Sequence, residues 1–486
     1  MTTLHDAPTE DLRMSERDAG PSPFEPINTS LRYPKVSGVI DPDRSKGWIR
    51  RMLPVVTAHK WLFGFSLFAS FLALAAQVAI PRVLGNGIDV IGTRINPAVP
   101  DKALAPIVIT LLVLGAIRAL LTFVYRYGLY RVAYALEFDL RTIMFEHLSR
   151  MSFGFYDRQQ TGQLISRANS DIRSVQMLLA FAPLMAMTMI TFFAGFAIMI
   201  TIHVGLTLVA ISVLPLVYVL GVKMRRVMFP LSWIVQGRQA EVATIVEENV
   251  AGVRVVKSFA AEEQEIRKLA RSARRLQWAS VTTIDNRAKY GPAMENLPRL
   301  GMALVLLYGG YLAIHGAVTV GDIVVFNQYV IMLQAPFRML GAFMMMGQRA
   351  AASAQRIFEI LDTPPEVADR PGAYDLVDCE GAIEFDHVRF GYADGPDVIT
   401  DLTFRISPGE TVAIVGRTGS GKSTITRLLD RFYDVRSGAV RVDGNDVRDL
   451  TLPSLRHHVG MVTEEPFLFS ASVRDNIAYG RPAADL

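Results

Sequence analysis

The run Thr411-Val412-Ala413-Ile414-Val415-Gly416-Arg417-Thr418-Gly419-Ser420-Gly421-Lys422-Ser423-Thr424 joins an apolar pentapeptide to a glycine-rich loop. Residues 411–415 read as a continuous strand of the kind buried on both faces of a sheet. Residues 416–424 fit G-x-x-x-x-G-K-[ST] at every fixed position. Ile425 to Phe432 then reads as helix. Strand, loop and helix in that order are the setting in which this motif cradles phosphate, and chance matches rarely have it. Glycines let successive backbone N–H groups turn toward one anion. The N-terminus of the following helix adds partial positive charge. The pattern therefore predicts that Lys422 reaches the β- and γ-phosphates of ATP and that the Ser423 hydroxyl ligates Mg²⁺.

Upstream of that loop the chain is apolar. Of its 486 residues, 51% are hydrophobic and only 20% are charged, which points to membrane spans rather than a multidomain soluble protein. Apolar stretches at about 61–80, 103–125, 174–202, 204–222, 290–314 and 323–347 are each long enough to cross a bilayer as a helix. Arg118 interrupts the second and Pro215 lies inside the fourth. Only His203 separates the third from the fourth, which predicts a tight hairpin. Residues 1–47 are polar, without a signal-like apolar run, and are expected to be a disordered cytoplasmic tail. Gly47-Trp48-Ile49-Arg50-Arg51-Met52-Leu53 fits either an amphipathic surface helix or a plain basic flank of the first span.

Short links poor in Lys and Arg follow the first, third and fifth stretches. The two long links hold many basic residues, among them Arg126, Arg141, Arg158, Arg225, Arg226 and Arg274. Basic loops stay on the cytoplasmic side, so both long links and both termini are expected inside. The same loops account for the formal charge of +4, and nucleic-acid binding is not expected. Residues 130–151 and 231–277 keep a helical apolar period, so the spans are expected to continue as helices beyond the membrane. Thr363-Pro364-Pro365 and Pro371-Gly372 mark a linker, after which residues 382–390 alternate like a strand. The single cysteine, Cys379, carries no motif.

Several separated segments share one family pattern. They are Phe155-Tyr156-Asp157 with Thr161 to Arg167 and Asp171, Glu248 to Glu262, Val320-Gly321-Asp322, and Ala352 to Asp362. In that order, and followed by the glycine loop, they make the chain resemble an exporter-type ABC half-transporter from about residue 48 to its last residue. The resemblance implies a multi-domain membrane protein. An all-α six-helix transmembrane domain covers residues 48–362 and a linker covers 363–380. The N-terminal part of an α/β P-loop (RecA-like) ABC nucleotide-binding domain covers 381–486. It also implies short coupling helices near 155–163 and 250–258, which dock on nucleotide domains and carry their motion to the spans.

By the same resemblance Tyr392 is the aromatic that stacks on adenine. Val462-Thr463-Glu464-Glu465-Pro466 matches the Q-loop, with Glu464 where a Gln normally contacts Mg²⁺ and the attacking water. Glu464 is expected to join the ATP and Mg²⁺ site while adding negative charge near the γ-phosphate. The family's L-S-G-G-Q signature, the Asp-Glu that ends a later apolar strand, and the switch histidine do not occur after residue 470. His457 and His458 precede the Q-loop and do not replace that histidine. No catalytic residue is therefore assigned, and residues 1–486 are expected to bind ATP weakly at best and not to hydrolyse it alone. The absent strand would also leave 411–415 as an exposed apolar edge.

Three readings follow. The first is a subunit of an ATP-driven transporter in the cytoplasmic membrane, exporting a hydrophobic or amphipathic small molecule, lipid or peptide. The second is an incomplete, non-hydrolysing subunit that binds nucleotide or a partner. The third is a piece of a longer transporter. In the family each ATP site is shared between subunits, so a second half-transporter is the expected partner, and Glu464 tilts this toward a different subunit rather than a copy. Arg118 and the methionines at 339 and 344–346 do not define a substrate. Six spans ahead of the loop argue against a soluble GTPase or kinase.

Overall fold

The computed structural model describes residues 36, 38–93, 104–463 and 466–480, so residues 1–35 of the expected tail and Glu464 lie outside the described residues. The chain divides between Ala58 and His59 into two compact units. In the first, Trp48–Ala58 forms a helix, α1. Met52, Val55 and Arg51 are buried while Ile49 and Leu53 are exposed. Asp41 anchors it: its N–H donates to Arg51 O at 3.0 Å and its carboxylate accepts from Lys46 Nζ at 2.6 Å.

The second unit begins with long helices. They are α2 (Lys60–Thr93), α3 (Leu104–Ser149), α6 (Ile172–Ile202), α8 (Leu214–Ala251), α10 (Glu262–Ile314) and α11 (Val320–Leu361). Among the described residues six helices, counting α6 and α8 with the segments that lead into them, are long and apolar enough to cross a membrane. Most outrun a bilayer: α3, with 46 residues, is about 70 Å long at 1.5 Å per residue, against roughly 30 Å of hydrocarbon. The helical continuation read from the sequence is present.

Short elements join them. α4 (Phe153–Arg158) and α5 (Thr161–Ser166) follow α3, and a π-helical turn, Arg167–Asp171, leads into α6. His203 makes the hairpin to α7 (Val204–Ile211), where its extended backbone breaks the helix and its Nδ1 accepts from Leu206 N at 3.1 Å. The fourth apolar stretch is not one helix. It restarts at Leu214, which puts Pro215 in the first turn, where a missing N–H costs nothing. α9 (Val253–Ser258) links α8 to α10.

Packing gathers the helices around Tyr329, Phe326, Met199, Leu206 and Val305, all fully buried. The Tyr329 hydroxyl donates to Val78 O at 2.7 Å, so the phenol enters an apolar core with its donor satisfied. Close approach of α2 and α11 needs Gly321: a Cβ there would lie 2.1 Å from Gly85 O. Its N–H donates to Asp89 Oδ1 at 2.7 Å.

After α11 comes a four-stranded antiparallel sheet of order β2-β1-β3-β4, built from β1 (Ile383–Phe390), β2 (Ile399–Ile406), β3 (Ser437–Val442) and β4 (Asn445–Asp446). The strand read at 382–390 is there, with its alternation shifted by a bulge. His387 takes φ 47°, so Phe385, Val388 and Phe390 are the buried positions. Helices α12 (Lys422–Leu429) and α13 (Leu452–His458) complete this segment's core through Leu428 and Leu455, and α14 (Val473–Ile477) follows.

The strand expected at 411–415 does not form. These residues join no ladder among the described strands, and Val412, Ile414 and Val415 are exposed, Val415 at 89%. An apolar run becomes a central strand only when neighbours take its backbone N–H and C=O groups, and no described strand lies alongside.

Candidate nucleotide site and its link to the membrane helices

Local backbone chemistry shapes the loop. Gly419 and Gly421 take φ 86° and 92°, a region a side chain disfavours. Ser420 N donates to Arg417 O at 3.1 Å, which tightens the turn. α12 then starts at Lys422, three residues earlier than the helix read from the sequence, so residues 422–424 form its first turn. A helix N-terminus faces whatever the loop encloses, as phosphate binding requires.

Lys422 and Ser423 open α12. Lys422 Nζ donates to Gly416 O at 2.8 Å and Arg417 O at 2.9 Å, so the ammonium lies across the loop. Ser423 is exposed in the first turn of α12, free to meet a cation. No group of three or more His, Cys, Asp or Glu among the described residues is arranged to hold a metal. A magnesium ion carried in on phosphates needs only the hydroxyl from this loop, so the residues present fit it.

Tyr392 sits beside α12. Its hydroxyl shares a 3.0 Å hydrogen bond with Thr424 Oγ1, and Arg427 Nη1 donates to it at 3.3 Å. Its ring makes edge contacts with Phe390 at 5.0 Å and Tyr433 at 5.2 Å. Tyr392 is thus half-buried against the core of the nucleotide segment and tied directly to the phosphate-loop helix.

Tyr433 carries the contact onward. Its hydroxyl donates to Asp157 Oδ2 on α4 at 2.6 Å. Burial and that hydrogen bond push the Tyr433 phenol up, so it stays protonated as a donor. Beside it Phe153 stacks on Phe432 with centroids 4.1 Å apart, and Arg158 pairs with Glu366. A continuous set of contacts runs Thr424, Tyr392, Tyr433, Asp157, from the phosphate loop to the link between α3 and α6. Asp157 was legible in the family pattern. Phe432, Tyr433 and Arg427 were missed, although an aromatic pair just after the loop's helix is a usable signal.

Sequence comparisons bear on this arrangement. Residues 63–337 match the description ABC transporter transmembrane region, and residues 399–485 match ABC transporter. The chain belongs to the ABC transporter family. It has the layout of an exporter-type half-transporter, and it is a multi-pass membrane protein with an ATP-binding segment. The relatives include a multidrug efflux ATP-binding/permease protein of Mycobacterium bovis, 36% identical over 87% of this chain and 34% of that protein. Another is the Bacillus subtilis ABC transporter ATP-binding protein YwjA, 30% identical over 90% of this chain and 75% of that protein. An ATP-dependent lipid A-core flippase of Desulfotalea psychrophila is 30% identical over 85% of this chain and 72% of that protein. The chain therefore spans about a third of the length of the mycobacterial relative.

Two further parts of the transporter matter to the site. At the base of α6 the π turn aims the buried Asp171 at α11. Ser353 Oγ donates to it at 2.9 Å, and Arg356 donates twice, from Nε at 2.8 Å and Nη2 at 2.5 Å. Both partners fall in segments the family pattern had marked separately. The second bridge, α9, is different: it has no buried residue. No hydrogen bond, ion pair or ring contact among the described residues joins α9 to the nucleotide segment. Val250, Val255 and Phe259 are 70%, 62% and 79% exposed, beside a hollow of about 500 Å³ lined by Val246, Val253 and Ile266. Arg118 is exposed on α3 and lines an open groove formed by α3 alone.

Proposed function

We propose that this chain is one subunit of an ATP-driven exporter whose nucleotide segment moves the membrane helices through α4. The observation that carries the reading is the contact path from Thr424 through Tyr392 and Tyr433 to Asp157. Gly416, Arg417, Thr418, Gly419, Ser420 and Gly421 wrap the phosphates with backbone N–H groups. Lys422 leaves its two carbonyl partners to pair with them, and Thr424 reports the change to Tyr392. Mg²⁺ bound at Ser423, and at Glu464 by family pattern, supplies charge neutralisation for the phosphates. Tyr392 contributes an aromatic surface for adenine beside its hydrogen bond to Thr424.

The long basic links and both termini lie in the cytoplasm, and the cargo is a hydrophobic or amphipathic small molecule, lipid or peptide. The printed names of relatives, multidrug efflux and lipid A-core flippase, support that class. A second half-transporter pairs with this chain, and its nucleotide domain covers the exposed apolar residues at α9. Glu464 favours a different subunit as that partner.

The test uses a fluorescent ATP analogue and the purified chain in nanodiscs. Saturable, Mg²⁺-dependent binding is expected, and Lys422→Ala should weaken it at least tenfold. Binding that is indifferent to Lys422→Ala would sink the proposal.

A further inference from the structure

The turn after α12 presents the aromatic pair that meets α4, and its backbone is not a relaxed one. α12 ends at Leu429, and Arg431 takes φ 50°, the left-handed conformation in which glycine commonly closes a helix. Arg431 N donates to Leu428 O at 3.1 Å and Phe432 N to Arg427 O at 2.9 Å, which reverses the chain ahead of Phe432 and Tyr433. A residue with a side chain keeps this conformation only where its surroundings enforce it. Arg431 is buried and supplies part of that hold itself: Nε donates to Asp434 Oδ1 at 2.9 Å and Nη2 to Ala368 O at 3.0 Å.

A second arginine grips the same turn from α13. Arg456 Nε donates to Asp430 O at 3.3 Å and Nη2 donates to Arg431 O at 3.2 Å. Carbonyls at the end of a helix have no partner within it, and a planar guanidinium offers two donors in one fixed geometry. The guanidinium carbon also lies 5.3 Å from the centre of the Phe432 ring, the ring on which Phe153 of α4 stacks at 4.1 Å. One side chain thus holds both the backbone that presents Phe432 and the ring itself. Arg456 is exposed on α13, so its removal opens no hole in the core. One buried group depends on it: burial pushes the Asp430 carboxyl up, and the charge of Arg456 acts against that.

We infer that Arg456 is a positioning residue for the membrane bridge: it sets the turn at residues 430–432 so that Phe432 meets Phe153. It touches neither the phosphate loop nor α4 and acts through Phe432. This gives α13 its own hold on α4, separate from the path that reaches Asp157 through Tyr392 and Tyr433. The inference rests on α4 as the route by which the nucleotide segment moves the membrane helices.

The experiment follows amide hydrogen exchange of α4 in the purified chain in nanodiscs, alongside binding of a fluorescent ATP analogue. Arg456→Met should speed exchange in α4 about tenfold, as the loss of hydrogen bonds from a charged donor predicts. Analogue affinity should stay within about twofold of the parent, since Arg456 lies outside the phosphate loop. Arg456→Lys keeps the charge beside Asp430 and one donor but loses the flat two-donor grip, so its exchange should fall between parent and Arg456→Met. Arg456→Met with Asp430→Asn strands no buried carboxylate and should match Arg456→Met, which keeps the test open if the single variant folds poorly. The decisive comparison is the Phe432→Ala background, where Arg456→Met should add less than about twofold, because the ring through which it acts is gone. An arginine that only braced the nucleotide segment would give its full effect there and would weaken analogue binding in parallel. Either result, or parent-like exchange in both Arg456→Met chains, overturns the assignment. If Phe432→Ala alone leaves α4 exchange unchanged, the α4 route fails and this inference with it. A response to Phe432→Ala without one to Arg456→Met removes Arg456 alone.

Discussion

The two bridges, α4 and α9, are each six residues long and join the same kind of long helix, yet one is docked and the other is bare. On α4, Phe153 stacks on Phe432, Asp157 accepts from Tyr433, and Phe155 is buried. On α9 the apolar residues are outward and its ion pair, Lys257 with Glu262 at 2.7 Å, is local. Equal length and similar apolar content thus lead to opposite environments. A bridge is made by what faces it, and no hydrogen bond, ion pair or ring contact among the described residues joins α9 to the nucleotide segment. Val255 on α9 and Phe259 just after it are exposed, and the proposal above assigns their cover to a second subunit.

Removing the aromatic stack is the strongest way to break this contrast. Phe153→Ala with Phe432→Ala should cost about 3 kcal/mol of docking, from lost burial and ring contact together. Hydrogen exchange should then rise in α4 and in residues 363–480 while α9 stays unchanged. Protection that persists in α4 would mean the stack is incidental.

A smaller loss is expected from Tyr433→Phe, which deletes one hydrogen bond to a carboxylate and keeps the ring. About 1.5–3 kcal/mol is the usual range for such a bond. Asp157→Asn should lose less, because an amide oxygen still accepts. If Asp157→Asn matches the parent in thermal stability and exchange, the charge on Asp157 has no part in docking.

On the second bridge the prediction reverses. Phe259→Ser should leave the isolated chain within about 0.5 kcal/mol of the parent, as exposed substitutions do. In the assembled transporter it should reduce subunit association and ATP turnover. In a Cys379→Ser background, Phe153→Cys with Phe432→Cys should cross-link within one chain. A pair that stays reduced under oxidising conditions would refute docking through the stack.

Least affected by either bridge is the turn between β1 and β2, which serves as an internal reference. Asp397 accepts from Arg389 and Arg436, and the Arg389 hydrogen bond, acting against burial, holds its carboxyl below the usual carboxylate range. A depressed folded value means the pair's contribution is complete above the unfolded pKa, about 3.9. It fades as pH falls through the folded value. Acid titration followed by circular dichroism should show Asp397→Asn flattening only this low-pH limb. A change near neutral pH would contradict the assignment.

Much of this arrangement was legible beforehand, for particular reasons. The apolar stretches had one available fate, since a chain in hydrocarbon must satisfy its backbone within a helix. The glycine loop was equally plain, because Gly419 and Gly421 take backbone angles that the residue type itself permits. Pro215 was misplaced within a continuous span because hydropathy does not register where a helix restarts. Tyr392 was expected to face adenine, and the hydrogen bond to Thr424 was not foreseen, since nothing local brings residues 392 and 424 together. The strand at 411–415 had every local mark of a buried strand and stands exposed, because strand identity is conferred by neighbours.

From sequence alone came whatever short-range chemistry controls: which segments are apolar enough to span a membrane, where the glycine-rich loop lies, and that Lys422 and Ser423 occupy the fixed positions of its motif. Tertiary structure decided which bridge docks, how Tyr433 connects the loop to Asp157, and that Arg456 grips the turn at residues 430–432. Those outcomes depend on contacts between residues far apart in the chain. Such contacts are selected by packing and by the satisfaction of buried polar groups, and no local pattern encodes them.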